Sequence, residues 1–97
     1  FLIATLNTKL CVQRVVRITR GTLDASLVHP REVFRAAIAD AANSILLIHN
    51  HPSGDPTPSS QDREVTSRLK QVGAIIGINV IDHIVVGDGR AVSLAEC

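Results

Sequence analysis

The chain has 97 residues, 45% of them hydrophobic, and this size supports one compact domain with a modest core but not two domains. A formal net charge of +1 excludes a strong general attraction to nucleic acid or anionic lipid, and two aromatic residues are too few for the stacking surface of a single-stranded nucleic-acid binder. No stretch reaches the roughly 20 apolar residues of a membrane span. We therefore predict one soluble cytoplasmic domain, residues 1–97, without membrane association.

The start of the chain and its two cysteines indicate what kind of polypeptide it comes from, and not which reaction it carries out. The chain begins at Phe1, contains no methionine and lacks the pattern of a signal peptide, so we interpret it as one domain of a longer polypeptide. Cys11 and Cys97 lie far apart in the sequence and form neither a CxxC pair nor a disulfide framework. We interpret both cysteines as incidental.

The first third of the chain predicts a β-hairpin. Residues 1–6 are an apolar run, residues 7–9 are a polar turn, and residues 10–20 are rich in valine, isoleucine and threonine. The alternation of apolar and polar residues slips around Arg14, which predicts a bulge there. Gly21-Thr22 then ends the strand pattern.

Two helices and three further strands are predicted next. Pro30 suits a first helical position, and an apolar stripe at helical spacing continues to about Asn43. Residues 44–48 are apolar without alternation, which predicts a central strand covered on both faces. A second helix is expected to start at Ser59 and to end at one of two glycines, Gly73 or Gly77.

The last quarter predicts two strands joined by a Gly-Asp-Gly turn at residues 87–89. Residues 78–86 are rich in β-branched side chains, and residues 91–94 would return as an edge strand. The order β-β-α-β-α-β-β predicts the α/β class, as a single domain with a mixed β-sheet and helices packed against it.

Two histidines stand at the end of the third predicted strand. His49 and His51 are one residue apart, so their side chains lie on one side of the strand. The loop at residues 52–58 contains three prolines and one glycine, which makes it stiff, and it leads to Asp62 in the first turn of the second helix. Two imidazoles and one carboxylate form the ligand set of a catalytic zinc site, which keeps a fourth position for water.

Each of these residues also has a purely structural interpretation. The histidines could be surface residues or satisfied core groups, and a first-turn carboxylate such as Asp62 is favoured by the helix dipole. Ser59 is predicted as the N-cap of the second helix, in a box with Asp62. A capping hydroxyl still has its own proton to donate, so Ser59 could both cap the helix and face a reacting oxygen.

The assembled pattern resembles a known signature. Glu32, then His49-x-His51, seven residues and Ser59-x-x-Asp62 is similar to the JAMM (MPN-type) metalloprotease motif. The surrounding segments, HPREVF at residues 29–34, HNHPSGDPTPS at residues 49–59 and DHIVVGDG at residues 82–89, resemble the bacterial RadC family. The resemblance covers nearly the whole chain, as the C-terminal domain of such a protein.

The resemblance implies a fold, a metal and roles for five residues. The fold would be a single α-β-α domain with a mixed β-sheet flanked by helices, the cytidine-deaminase-like JAMM/MPN architecture. Zinc would be held by His49, His51 and Asp62. Glu32 would be the general base, although by itself it reads as a surface glutamate in the first turn of a helix, and Ser59 would help to stabilise the oxyanion. Because zinc lowers the pKa of its water to about 7, the implied reaction is hydrolysis of an amide bond in a peptide or isopeptide-linked protein.

Two alternative functions follow from the same family resemblance and architecture. A binding module in DNA repair would use a structural metal and a basic strand region around Arg14, Arg17 and Arg20, although the low net charge does not support this function. The sequence argues against a zinc deaminase, because the HxE and PCxxC elements of that chemistry are absent.

Three further polar residues near the motif are predicted to be structural. We interpret His29 as a helix-boundary residue and Asp55 as a turn-stabilising one. His83 reads as a half-buried strand histidine, with the alternative that it orients a metal ligand through a hydrogen bond.

Overall fold

The computed structural model describes residues 1–19 and 28–96, and structural statements below refer to this part of the chain. The predictions for Arg20, for the break at Gly21-Thr22 and for Cys97 lie outside the described residues. The elements in chain order are β1 (Leu2–Leu6), β2 (Val12–Arg17), α1 (Pro30–Ala39), β3 (Ser44–Asn50), α2 (Ser60–Ile76), β4 (Asn79–Gly87), β5 (Arg90–Ser93) and a 3-10 turn (Leu94–Glu96).

The five strands form one mixed sheet in the order β2-β1-β3-β4-β5. β3 and β4 are parallel, joined by a crossover through α2, and the other neighbouring pairs are antiparallel. This confirms the predicted α/β class with a mixed sheet, and it puts β3 at the centre and β5 at an edge. No helix in the described residues is long and apolar enough to cross a bilayer.

The predicted bulge in the first hairpin is confirmed. Thr5 pairs with Arg14 and Leu6 pairs with Val12, so β2 holds one residue more than β1 across this step. The extra residue, Gln13, shifts the side-chain alternation beside Arg14.

The two helices end where the backbone leaves the helical region. α1 stops at Ala39, earlier than the predicted Asn43, because Asp40 is its C-cap and Ala41 adopts φ +51°. α2 ends at Gly77, whose φ of +90° is the left-handed conformation that favours glycine. Gly73 is an interior position where a Cβ would lie 2.4 Å from the carbonyl oxygen of Ile78, so glycine permits this close approach.

One apolar core lies between the two helices and one face of the sheet. It includes Val33, Phe34 and Ala37 of α1, Val65 and Leu69 of α2, and Ile3, Ile45, Leu47 and Val80 of the strands. The alternating residues Leu46, Ile48, Ile84 and Val86 point to the other face and are only half-buried. The prediction that β3 is buried on both faces is therefore confirmed only for the face that packs against the helices. His49 lies on that buried face.

Candidate metal centre

The histidine pair lies where β3 leaves the sheet. His49 is the second-last residue of β3 and is 3% exposed. His51 follows the strand, and its backbone N–H still donates to the carbonyl of Val86 on β4 at 2.8 Å. Both imidazoles are thus attached to the central parallel pair of strands, at the end from which the chain turns toward α2.

The start of α2 brings a carboxylate to the same place. Ser59 is the N-cap, and its Oγ accepts from the backbone N–H of Asp62 at 3.1 Å. In return the N–H and the hydroxyl of Ser59 both donate to Asp62 Oδ2 at 2.8 Å. The capping box predicted for Ser59 is confirmed, and it fixes the orientation of a side chain that is fully buried.

The structure brings three of the predicted site residues into one cluster. His49 Nδ1 lies 3.0 Å from Asp62 Oδ1, and His51 Nε2 lies 2.8 Å from Asp62 Oδ2. One candidate ligand atom from each residue lies within 4.8 Å of the others. Three side chains, from the end of β3, the residue that follows β3 and the first turn of α2, thus converge closely enough to share a single ion.

The protonation of His51 shows that this donor set suits a cation. Its Nδ1 lies 2.8 Å from the carbonyl oxygen of Asp55, which can only accept, so Nδ1 carries a proton. In the neutral ring Nε2 then carries a lone pair, and it faces a carboxylate oxygen at hydrogen-bond distance. Nε2 of His49 is buried with no hydrogen-bond partner among the described residues. A proton or a metal ion between the ligand atoms would satisfy this arrangement, so the residues fit a metal ion.

The carboxylate is ionised in this setting. Burial alone would raise the pKa of Asp62, but hydrogen bonds from His49, Ser59 and His51 outweigh burial and hold the pKa well below its usual range. A buried negative charge is costly unless a positive partner neutralises it. The buried negative charge of Asp62 therefore favours a cation at this position.

His83 lies directly behind this carboxylate. It is fully buried rather than half-buried as predicted, because β4 runs under α2 at this point. Its Nδ1 is 2.7 Å from Thr66 Oγ1, and its Nε2 is 3.7 Å from Asp62 Oδ1. Burial lowers its pKa to about 4, so the ring is neutral near pH 7. Sequence reasoning missed Thr66, although its position four residues after Asp62 puts both on one face of α2.

Glu32 is not one of the three residues of this cluster, and its ion pairs are with arginines. Its side chain is 48% exposed and lies 3.8 Å from both Arg31 and Arg35. Glu32 sits beside the buried Val33 in the first turn of α1 but off the apolar face of that helix, so it points toward the arginines. Its predicted role as general base therefore draws no support from these contacts.

The two remaining polar predictions agree with the structure. His29 is the N-cap residue of α1 and makes no capping hydrogen bond with its side chain. Asp55 Oδ1 accepts from the N–H and the hydroxyl of Thr57 at 3.0 and 2.8 Å, which stabilises the turn. The same turn supplies the carbonyl that orients His51.

The basic strand region lies beside Glu32. Arg14 pairs with Asp40 at 3.0 Å. Arg17, Glu32 and Arg35 line a groove of about 310 Å³ between β2 and α1. Acidic partners thus offset part of the positive charge on this surface.

Comparison with known proteins identifies the family. The model of the RadC-like JAB domain matches residues 1–97. The UPF0758 protein TTE0897 of Caldanaerobacter subterraneus subsp. tengcongensis is 55% identical over 96 residues, covering 99% of this chain and 41% of the relative. The UPF0758 protein STH371 of Symbiobacterium thermophilum is 56% identical over 96 residues, with 99% and 41% coverage. The chain thus spans about two fifths of the length of these curated relatives. With a family match over its whole length, the chain belongs to the RadC-like JAB domain family.

Proposed function

We propose that this domain is a zinc-dependent hydrolase that cleaves an amide bond in a peptide or an isopeptide-linked protein. The observation that carries the proposal is the convergence of the three side chains, in which Nε2 of His51 lies 2.8 Å from Asp62 Oδ2 beside His49. Two imidazoles and one carboxylate match the open zinc sites of hydrolases, in which three protein ligands leave one position free. A closed structural site would need a fourth protein ligand, and the cluster found in the described residues contains three.

The surroundings of each proposed ligand fix its orientation. The carbonyl of Asp55 fixes the tautomer of His51, and the capping box fixes the carboxylate of Asp62. His49 is held by the central strand of the sheet. When bound, zinc would act as a Lewis acid and lower the pKa of a water molecule from 15.7 to about 7.

Ser59 is the proposed oxyanion donor. It is an exposed residue, and its hydroxyl is held 2.8 Å from the ligand carboxylate. In the proposal the hydroxyl turns from Asp62 toward the oxygen of the substrate as negative charge develops there. Ser59 can do so without loss of the cap, because the Asp62 N–H bond uses its lone pair and not its proton.

Glu32 as the general base stays a prediction. A general base must come within hydrogen-bond reach of the proton that it takes, directly or through one water. The present contacts of Glu32 are with Arg31 and Arg35. Its assignment therefore depends on the kinetics of a Glu32 variant.

The decisive experiment measures metal first and hydrolysis second. Protein purified without chelator should contain about one zinc per chain. The variants His49→Ala and Asp62→Ala should lose this zinc. His29→Ala, outside the cluster, is the matched control and should retain it. The zinc-loaded and metal-free forms are then compared on a panel of peptide and isopeptide substrates. A parent protein that binds no zinc would remove the proposal, and bound zinc without hydrolysis of any substrate would leave only the metal site.

A further inference from the structure

The loop that joins His51 to α2, residues 52–58, rests on the hairpin of β4 and β5 through a contact that only glycine permits. At Gly87, the last residue of β4, an added Cβ would lie 2.6 Å from the carbonyl oxygen of Gly54 and 3.0 Å from the carbonyl carbon of Asp55. Carbon atoms in van der Waals contact lie about 3.5–4.0 Å apart, so no side chain fits between the two backbones. The loop can lie this close to the sheet because residue 87 has no side chain.

The hairpin beneath the loop is the more rigid of the two partners. Gly87 pairs with Arg90, and the two residues between them, Asp88 and Gly89, have φ of +51° and +73°. Two successive residues with positive φ are typical of the tight hairpin turn whose twist matches that of its strands. Both strands of the hairpin belong to the sheet, whereas most residues of the loop are exposed. A side chain at residue 87 would therefore displace the loop and not the hairpin.

The backbone that lies against Gly87 also orients a proposed metal ligand. The carbonyl oxygen of Asp55 accepts from Nδ1 of His51 at 2.8 Å, and the N–H of Gly54 donates to the carbonyl of His51 at 3.1 Å. Asp55 Oδ1 accepts from the N–H and the hydroxyl of Thr57, so the loop is held together by its own hydrogen bonds. Displacement of Gly54 and Asp55 therefore shifts the acceptor that directs Nε2 of His51 into the cluster.

We propose that Gly87 is a positioning residue for the metal centre, because its lack of a side chain lets the Asp55 carbonyl reach the position from which it holds the imidazole of His51 toward the metal. The role in metal binding rests on the proposed function. A hydrogen bond from the other ring nitrogen of a ligating histidine to a carbonyl fixes the tautomer and the ring orientation, and its loss typically costs about 10–100-fold in metal affinity. Gly87 acts on this bond through the loop.

The first test compares zinc affinity among variants, measured by competition with a chromophoric chelator. Gly87→Ala should weaken zinc binding by about 10–100-fold. Gly89→Ala is the matched control in the same hairpin. Its φ of +73° makes a side chain unfavourable there, but an added Cβ would meet no atom within 4 Å beyond its chain neighbours, so affinity should stay within a few-fold of the parent. Parental affinity in Gly87→Ala, or an equal loss in both variants, would overturn the proposal.

The second test needs no metal. In the metal-free parent, nuclear magnetic resonance should show a proton on Nδ1 of His51 that is protected from exchange with water, because the Asp55 carbonyl accepts it. Exchange of this proton should be faster in Gly87→Ala and parental in Gly89→Ala. Equal exchange in Gly87→Ala and the parent would overturn the proposal even if zinc affinity falls.

Two further outcomes are separated by the same measurements. If Gly87→Ala does not fold, the parent decides, because an unprotonated or rapidly exchanging Nδ1 of His51 would overturn the proposal and a protected proton would support it. A parent protein without zinc affinity would overturn the proposed function and the role in metal binding. The exchange of the Nδ1 proton in Gly87→Ala would then still decide whether Gly87 sets the position of the loop.

Discussion

His51 Nε2 and Asp62 Oδ2 lie 2.8 Å apart although, with Nδ1 of His51 engaged by the Asp55 carbonyl, the neutral ring has no proton to place between them. Two lone pairs at this distance repel, so a proton or a cation between these atoms would stabilise the arrangement. A metal ion bound at these atoms would take the place of such a proton. The geometry therefore predicts that metal binding is coupled to proton release.

We therefore expect zinc binding to release protons, because the ligand atoms must be unprotonated to bind the metal. Calorimetric titrations in buffers of different ionisation enthalpy measure the number of protons released, because the observed heat then varies with the buffer. His29→Ala should behave as the parent, since this histidine lies outside the cluster. Heats that are independent of the buffer would mean that no proton leaves the cluster on binding.

The stability of the metal-free protein should fall as the solution is acidified. Burial lowers the pKa of His83 to about 4 from 6.5, so between these values the unfolded chain binds more protons than the folded one. Neutral His83 makes its full contribution to the free energy of unfolding above about pH 6.5, and this contribution is lost as the pH falls through about 4. The loss amounts to as much as roughly 3 kcal/mol. The low pKa of Asp62 acts in the same direction at more acidic pH.

Urea unfolding at several pH values measures this dependence as a change in the free energy of unfolding. His83→Gln removes the titrating ring and should flatten the curve between about pH 6.5 and 4, whatever its effect on stability near neutral pH. An unchanged slope in this variant would mean that other groups carry the acid sensitivity.

The sequence predicted the elements and the grouping of His49, His51 and Asp62 because both depend on local spacing. The His-x-His pair on a strand and the Ser-x-x-Asp start of a helix each fix the relative positions of their own side chains, and the short loop joins them. The neighbours of Glu32 and His83 depend on packing across the sheet, which spacing does not encode. Glu32 therefore lies with arginines, and His83 lies deeper than predicted.

Glu32→Gln should retain zinc, because the carboxylate contacts Arg31 and Arg35 and not the cluster. Zinc content and affinity measure this, with Asp62→Asn as the variant that should lose the metal. The rate of hydrolysis in the same preparation then decides the role of Glu32. A loss of about 10²–10⁴ with zinc retained would assign it as the general base, and a parental rate would remove that assignment.

The arginine surface beside β2 should not bind DNA strongly. Arg14 is paired with Asp40, and Arg31 and Arg35 flank Glu32, so few free positive charges remain on this part of the described chain. We expect weak binding with a shallow dependence of affinity on salt, measured by fluorescence anisotropy of a labelled duplex. Tight binding that weakens steeply with salt and is lost in Arg17→Ala would favour the DNA-repair binding module instead.

Ser59→Ala should separate stability from catalysis at the N-cap of α2. Loss of the cap should cost about 1 kcal/mol of stability, because the N–H of Asp62 loses its acceptor. If the hydroxyl also stabilises the oxyanion, the rate should fall by about 10²–10³, well beyond what this small destabilisation can cause. Ser60→Ala, at an exposed neighbouring position, is the matched control and should change neither quantity much. A stability loss in Ser59→Ala with an unchanged rate would confine Ser59 to capping.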